Sequence, residues 1–167
     1  MSIDRPLWAP WRIEFIRDES EHDCFLCGNE QCHSQSKEDS LVIFRGKTCF
    51  VMLNRFPYNS GHLLISSYRH VGDLSELTVD ERHELMDLCV DCKKVLQRAM
   101  QPDAFNAGFN LGDAAGAGLS AHLHMHLVPR WGGDTNFMPV LADTRCVPEA
   151  IEKTAELIRK AWENEFE

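Results

Sequence analysis

The chain has 167 residues, of which 44% are hydrophobic and 26% charged, and its net charge is −9. That length fits one domain able to bury a core without disulfides, while the acidic balance argues against a general nucleic-acid-binding surface and leaves any anionic substrate to a local site. No apolar run reaches the roughly 18 residues that a membrane span needs, and Met1 to Pro10 lacks the apolar stretch of a secretion signal, so the expectation is a cytoplasmic protein with no membrane or nucleic-acid partner.

In chain order, residues 1–40 form an N-terminal segment. Pro6, Trp8, Pro10 and Trp11 predict docking of its first part, since burying tryptophan is strongly favourable. Cys24-Phe25-Leu26-Cys27 is a C-x-x-C, with Cys32 close behind, and Gly28 to Ser40 reads as a polar loop. The seven cysteines are an odd number, and without a secretion signal they do not predict a disulfide framework. Three strand-like runs come next, Leu41 to Arg45, Thr48 to Leu53 and His62 to Ser67. A turn at Arg45-Gly46-Lys47 and the loop Asn54 to Gly61 join them into an antiparallel meander. A helix begins near Thr78, which forms a capping box with Glu81. Leu85, Leu88, Cys89, Cys92, Val95, Leu96 and Ala99 then recur at helical spacing, which makes Cys89 and Cys92 core residues. Two further strands, Phe105 to Leu111 and His122 to Val128, flank the glycine-rich stretch Gly112 to Ser120. A last amphipathic helix starts at Pro148 and carries Ile151, Ala155, Ile158 and Trp162. The class is α+β: an antiparallel meander of about five strands with one long helix and a C-terminal helix.

The chemistry centres on His122-Leu123-His124-Met125-His126. On a strand, alternate side chains share a face, so the three imidazoles point one way while Leu123, Met125 and Leu127 enter the core. Three readings stand: a solvated face, a three-histidine metal site, or a division of labour around an anion. Same-face neighbours on a strand sit about 6–7 Å apart, so a third ligand on one straight strand strains to reach one ion. The glycine-rich loop before the strand, with consecutive backbone N–H groups able to cradle an anion, favours divided roles.

The string Ala121-His122-Leu123-His124-Met125-His126-Leu127-Val128-Pro129-Arg130 resembles the signature of the histidine-triad (HIT) family. The likeness extends through Val51 to Pro57, Ser60 to Ile65, Arg69-His70 and Asn110-Leu111-Gly112, covering about residues 41 to 131. The flanks Leu7 to Arg12 and Trp131-Gly132-Gly133-Asp134 look like the bacterial diadenosine-polyphosphate phosphorylase or hydrolase branch. The resemblance implies one HIT domain over 1–167, with a catalytic core at 41–131 and a C-terminal extension and helix at 132–167. It implies that His124 attacks an α-phosphate and forms a nucleotidyl-histidine, which water or phosphate then resolves. His124 must be neutral for this, with an acceptor, expected to be a backbone carbonyl, fixing its other ring N–H. His126 would contact phosphoryl or bridging oxygens, His62 would support it from the neighbouring strand, and Asn54 would bind ribose hydroxyls. Read from the residues alone, His62 is a partly buried structural histidine and Asn54 a turn residue. Asn110, Gly118, Leu119 and Ser120 would line the phosphate site. Many family members carry glutamine where this chain has Gly118, so backbone N–H groups or Ser120 must take over that contact.

Zinc-bearing bacterial relatives imply a structural zinc held by Cys24, Cys27, His70 and His122, which would free His122 from attack. A local set, Cys24, Cys27, Cys32 and His33, is the alternative, and two reduced core thiols without metal the plainer one. The family also implies an edge-to-edge homodimer. Competing functions are a nucleoside phosphoramidase, a slow nucleotide-binding regulatory protein, and a metalloenzyme that uses the histidines as ligands.

Overall fold

The computed structural model describes residues 24–27, 41–115, 119–134 and 150–166. The expectations for Trp8, Trp11, Cys32, His33, Gly118 and Pro148 lie outside them. Three strands run as the meander predicts: β1 (Val42–Arg45), β2 (Cys49–Leu53) and β3 (Leu63–Ser67). Helix α1 (Val79–Met100) comes next, then β4 (Ala104–Phe109), β5 (His124–Arg130) and α2 (Ile151–Phe166).

All neighbouring strands are antiparallel, and the sheet order is β1-β2-β3-β5-β4. The meander therefore covers the first three strands. After α1 the chain lays β4 at the far edge, and β5 returns between β4 and β3. β5 is thus an interior strand with a partner on either side, and its side chains are placed by two ladders.

Helix α1 starts where its capping box requires. The Thr78 hydroxyl accepts from the Glu81 backbone N–H, while the Glu81 carboxylate accepts from the Thr78 N–H. The helix ends at Gln101 in the left-handed region, φ 50°. Its buried face carries Leu85, Leu88, Cys92, Val95 and Leu96, with Cys89 partly buried against the same core. That stripe packs over β2, β3 and β5. Helix α2 closes the core on α1 and β1, with Trp162 stacked on Phe44 at 4.5 Å between ring centroids. Among the described residues no helix is long and apolar enough to cross a membrane.

Gly61, at the end of the β2–β3 loop, has φ 75°, and a Cβ there would come within 2.7 Å of Met100 Sδ. Only glycine suits both the left-handed backbone and this close approach, and it stands directly before His62.

Candidate active site and metal-ligand cluster

Alternation along β5 sends Met125 and Leu127 into the core. His124 and His126 take the other positions, opposite Ser66 and Leu64 of β3, and their rings meet edge to face at 4.9 Å. The strand begins at His124, two residues later than the sequence pattern suggests. His122 therefore stands outside the ladder, fully buried, and its ring belongs to a different cluster from the other two.

His124 is half-buried. Its Nδ1–H donates to the His122 carbonyl oxygen at 2.8 Å. That bond places the proton on Nδ1 and leaves the Nε2 lone pair for chemistry. Burial pushes the His124 pKa below its ordinary value, against the opposing effect of that backbone hydrogen bond. A neutral imidazole with a fixed tautomer is the form a nitrogen nucleophile needs.

The second imidazole is oriented from the β2–β3 loop. Asn54 follows β2 and makes an Asx turn, its Oδ1 accepting from the Phe56 N–H at 2.9 Å. Its Nδ2 lies 3.2 Å from His62 Nδ1, and the Tyr58 backbone N–H donates to that same nitrogen at 3.1 Å. With two donors upon it, Nδ1 of His62 is an acceptor, so Nε2 carries the proton. His62 Nε2 is 3.0 Å from His126 Nδ1, which must accept, and the proton of a neutral His126 sits on Nε2. Asn110 Nδ2, just past the end of β4, lies 3.3 Å from that nitrogen; with the proton on Nε2, the near-isosteric amide must turn its Oδ1 there to accept. His62 is wholly buried, and the bonds to both its ring nitrogens are what burial of a polar group requires.

The structure thus joins His62, His126, Asn54 and Asn110 in one network and sets His124 beside it. Leu119 is half-buried and Ser120 exposed, both in the turn leading to His122. Gly108 lies directly opposite His126 on β4, and a Cβ there would meet nothing within 4 Å among the described residues.

The second cluster gathers distant segments. The Leu123 N–H donates to the Val71 carbonyl at 2.7 Å, tying the loop after β3 to the approach of β5. This brings His70 to His122, with ring centroids 5.1 Å apart. Cys24 Sγ is 3.2 Å from His122 Nδ1, and Cys27 Sγ is 3.0 Å from His70 Nδ1 and 3.5 Å from His122 Nδ1. The four donor atoms lie within 4.8 Å of one another. Zinc bonds of about 2.3 Å to sulfur and 2.0–2.1 Å to nitrogen put the corners of a tetrahedron roughly 3.3–3.8 Å apart, so the set closes on one ion with a shift of about 1 Å at its widest pair. His122 Nε2 donates to the Ser67 carbonyl at 3.0 Å, which turns an unprotonated Nδ1 toward the sulfurs. Burial lowers the His122 pKa and raises Cys24 to about 11. A thiol so placed becomes a thiolate when a cation compensates it.

Sequence reasoning had no means to find Tyr58. Its backbone N–H orients His62, and its ring lies 4.6 Å from that of His62 and 5.8 Å from that of His126. The carbonyls of Ser67 and His122 carry no sequence signal either, because every residue has one.

Histidines alternating at 122, 124 and 126, the last two on an interior strand and backed by buried His62 just before β3, define a histidine-triad protein. The chain belongs to the HIT domain family, whose model matches residues 35–133. It is 36% identical over 162 residues to the AP-4-A phosphorylase of Mycobacterium tuberculosis, covering 93% of this chain and 83% of that one. Its fold matches that of a hypothetical histidine triad nucleotide-binding protein from Sulfolobus tokodaii, at TM-score 0.67 and 23% identity, over 84% of this chain and 93% of that chain. It also matches a Zn-bound histidine triad family protein from Mycobacterium smegmatis, at TM-score 0.62 and 24% identity, over 74% and 84%.

Proposed function

We propose that this protein cleaves the phosphoanhydride chain of diadenosine polyphosphates by way of a nucleotidyl-histidine on His124. The observation that carries the reading is the bond from His124 Nδ1–H to the His122 carbonyl, which leaves Nε2 as the free nucleophilic nitrogen. The likeness to the M. tuberculosis AP-4-A phosphorylase, across most of both chains, supports the substrate class.

In the first step the Nε2 lone pair forms a bond to the α-phosphorus, and the bond from that phosphorus to the bridging oxygen breaks. The remaining polyphosphate leaves as its anion. Positive charge gathered on the His124 ring is shared with the His122 carbonyl through Nδ1–H. The Nε2–H of His126, whose polarity His62 sets, donates to a phosphoryl oxygen as charge builds there. In the second step an oxygen of phosphate or water bonds to the same phosphorus, the phosphorus–Nε2 bond breaks to restore neutral His124, and the attacking group's proton passes to solvent. Asn54 would receive ribose hydroxyls, and Asn110 with Leu119, Ser120 and the Gly118 backbone would line the phosphates.

Cys24, Cys27, His70 and His122 would hold a structural zinc, which on binding would fix the 24–27 segment against the approach to β5. β4 is an edge strand with Ala104, Asn106 and Ala107 exposed, a face suited to pairing with a second copy. We place the protein in the cytoplasm.

The test is turnover of diadenosine tetraphosphate by wild type and His124→Ala, with and without phosphate, read by nucleotide chromatography. Phosphate-dependent ADP with ATP from wild type alone identifies a phosphorylase, and AMP with ATP regardless of phosphate a hydrolase. Equal turnover by both proteins would remove His124 from the mechanism.

A further inference from the structure

The segment Trp131-Gly132-Gly133-Asp134 leaves β5 and takes no part in the proposed chemistry. Asp134 is nonetheless bonded toward the site. Its carboxylate accepts from Arg130 Nε at 2.6 Å and Nη2 at 2.9 Å, from the Trp131 backbone N–H at 3.1 Å, and from Asn59 Nδ2 at 2.7 Å. The Asn59 amide also reaches the Pro129 carbonyl at 3.2 Å. Asn59 sits in the β2–β3 loop, seventy-five positions from Asp134. Its backbone carbonyl accepts from the His62 N–H at 3.2 Å, and the residue just before it, Tyr58, gives its N–H to His62 Nδ1.

These bonds make one path. Asp134 grips the Asn59 side chain, Asn59 fixes the 58–62 turn, and the turn presents the Tyr58 N–H to His62. That N–H helps decide which nitrogen of His62 carries the proton, and hence which end of His126 can donate. We propose that Asp134, through Asn59, is a positioning residue for the His62–His126 pair, holding the turn in the register that fixes the polarity of the two imidazoles. The role assigned to Asp134 is exerted through the turn. The inference rests on the reading of His126 as an Nε2–H donor to the phosphoryl group.

An ion pair at the end of a strand would otherwise serve stability alone, so the test must separate the two roles. Asp134→Ala and Asn59→Ala are each compared with wild type in three ways: thermal melting, the kcat and KM for diadenosine tetraphosphate, and the His62 tautomer from ¹⁵N-histidine NMR of the protein without substrate. The expected result is a kcat lowered on the order of 10- to 100-fold, the cost of misplacing a group near the chemistry. KM should change much less, and the His62 spectrum should depart from a pure Nε2–H form. The exchange of partners, Asn59→Asp with Asp134→Asn, restores one amide–carboxylate bond and should return part of the lost kcat. An unchanged His62 spectrum with kcat preserved in both alanine variants, whatever happens to melting, would overturn the proposal. If Asp134→Ala does not fold, Asn59→Ala alone decides. A wild type without turnover would count against the proposed function only, since the NMR comparison needs no substrate.

Discussion

The imidazole of His124 donates its Nδ1 proton to the backbone carbonyl of His122, two residues earlier, at 2.8 Å. His122 is thereby shared between two sites. Its carbonyl fixes the tautomer of the candidate nucleophile, while its ring, held by the Ser67 carbonyl, faces Cys24 and Cys27. The histidine two residues before the nucleophile thus works through its backbone on one side and its side chain on the other.

That arrangement predicts what metal removal does. Protein purified without chelator should carry one equivalent of zinc, and Cys24→Ser with Cys27→Ser should carry almost none. Because ligands from three segments meet there, loss of the metal should lower the melting temperature markedly. The chemistry itself needs no cation, so chelated protein that remains folded should keep turning over substrate. Metal analysis, calorimetry and the chromatographic assay on one sample check all three. Activity that vanishes on chelation with the fold intact, and returns with zinc, would favour the metalloenzyme alternative.

Gly108 offers a probe of where the nucleotide lies. It stands opposite His126, and among the described residues nothing lies within 4 Å of where its side chain would begin. Gly108→Val suits a strand by propensity, so melting should hold or rise. If the substrate occupies the space beside His126, KM should rise roughly tenfold or more, equivalent to about 1.4 kcal/mol of binding. An unchanged KM would place the nucleotide elsewhere on the sheet.

Glu81 sets an acid limb of stability. The buried carboxylate accepts from Arg69 at 2.7 and 2.6 Å and from the Thr78 N–H at 2.7 Å. Chiefly through Arg69, and against burial, its pKa falls from 4.5 to about 2. The folded value lies below the unfolded one, so this contribution is fully present above pH 4.5 and is lost as pH falls toward about 2. Glu81→Gln should cost about 2 kcal/mol at pH 7, less than a fully buried pair because Arg69 is half exposed. In urea unfolding across pH, the gap between wild type and variant should close below pH 4.5. A constant gap would mean that the cost is packing and capping, not charge.

Much of this protein is written in local pattern. The capping box at Thr78 and Glu81 sets the start of α1, and the apolar stripe from Leu85 to Leu96 chooses its buried face. Alternation from His124 to Leu127 separates site from core on β5, and the histidine string with its flanks was enough to place the family. These features need only neighbours within a turn of helix or a few residues of strand, so the order of side chains determines them. The tertiary structure decided what long-range closure decides. It put β5 between β3 and β4, although β4 precedes it in the chain, and so set His126 against His62. It brought His70 to His122 through the Val71–Leu123 bond, and Asp134 to Asn59 across seventy-five positions. It also turned His122 out of the strand that its spacing implied. Backbone carbonyls and N–H groups are the same in every residue, so which of them would fix an imidazole proton became defined only when the sheet closed around them.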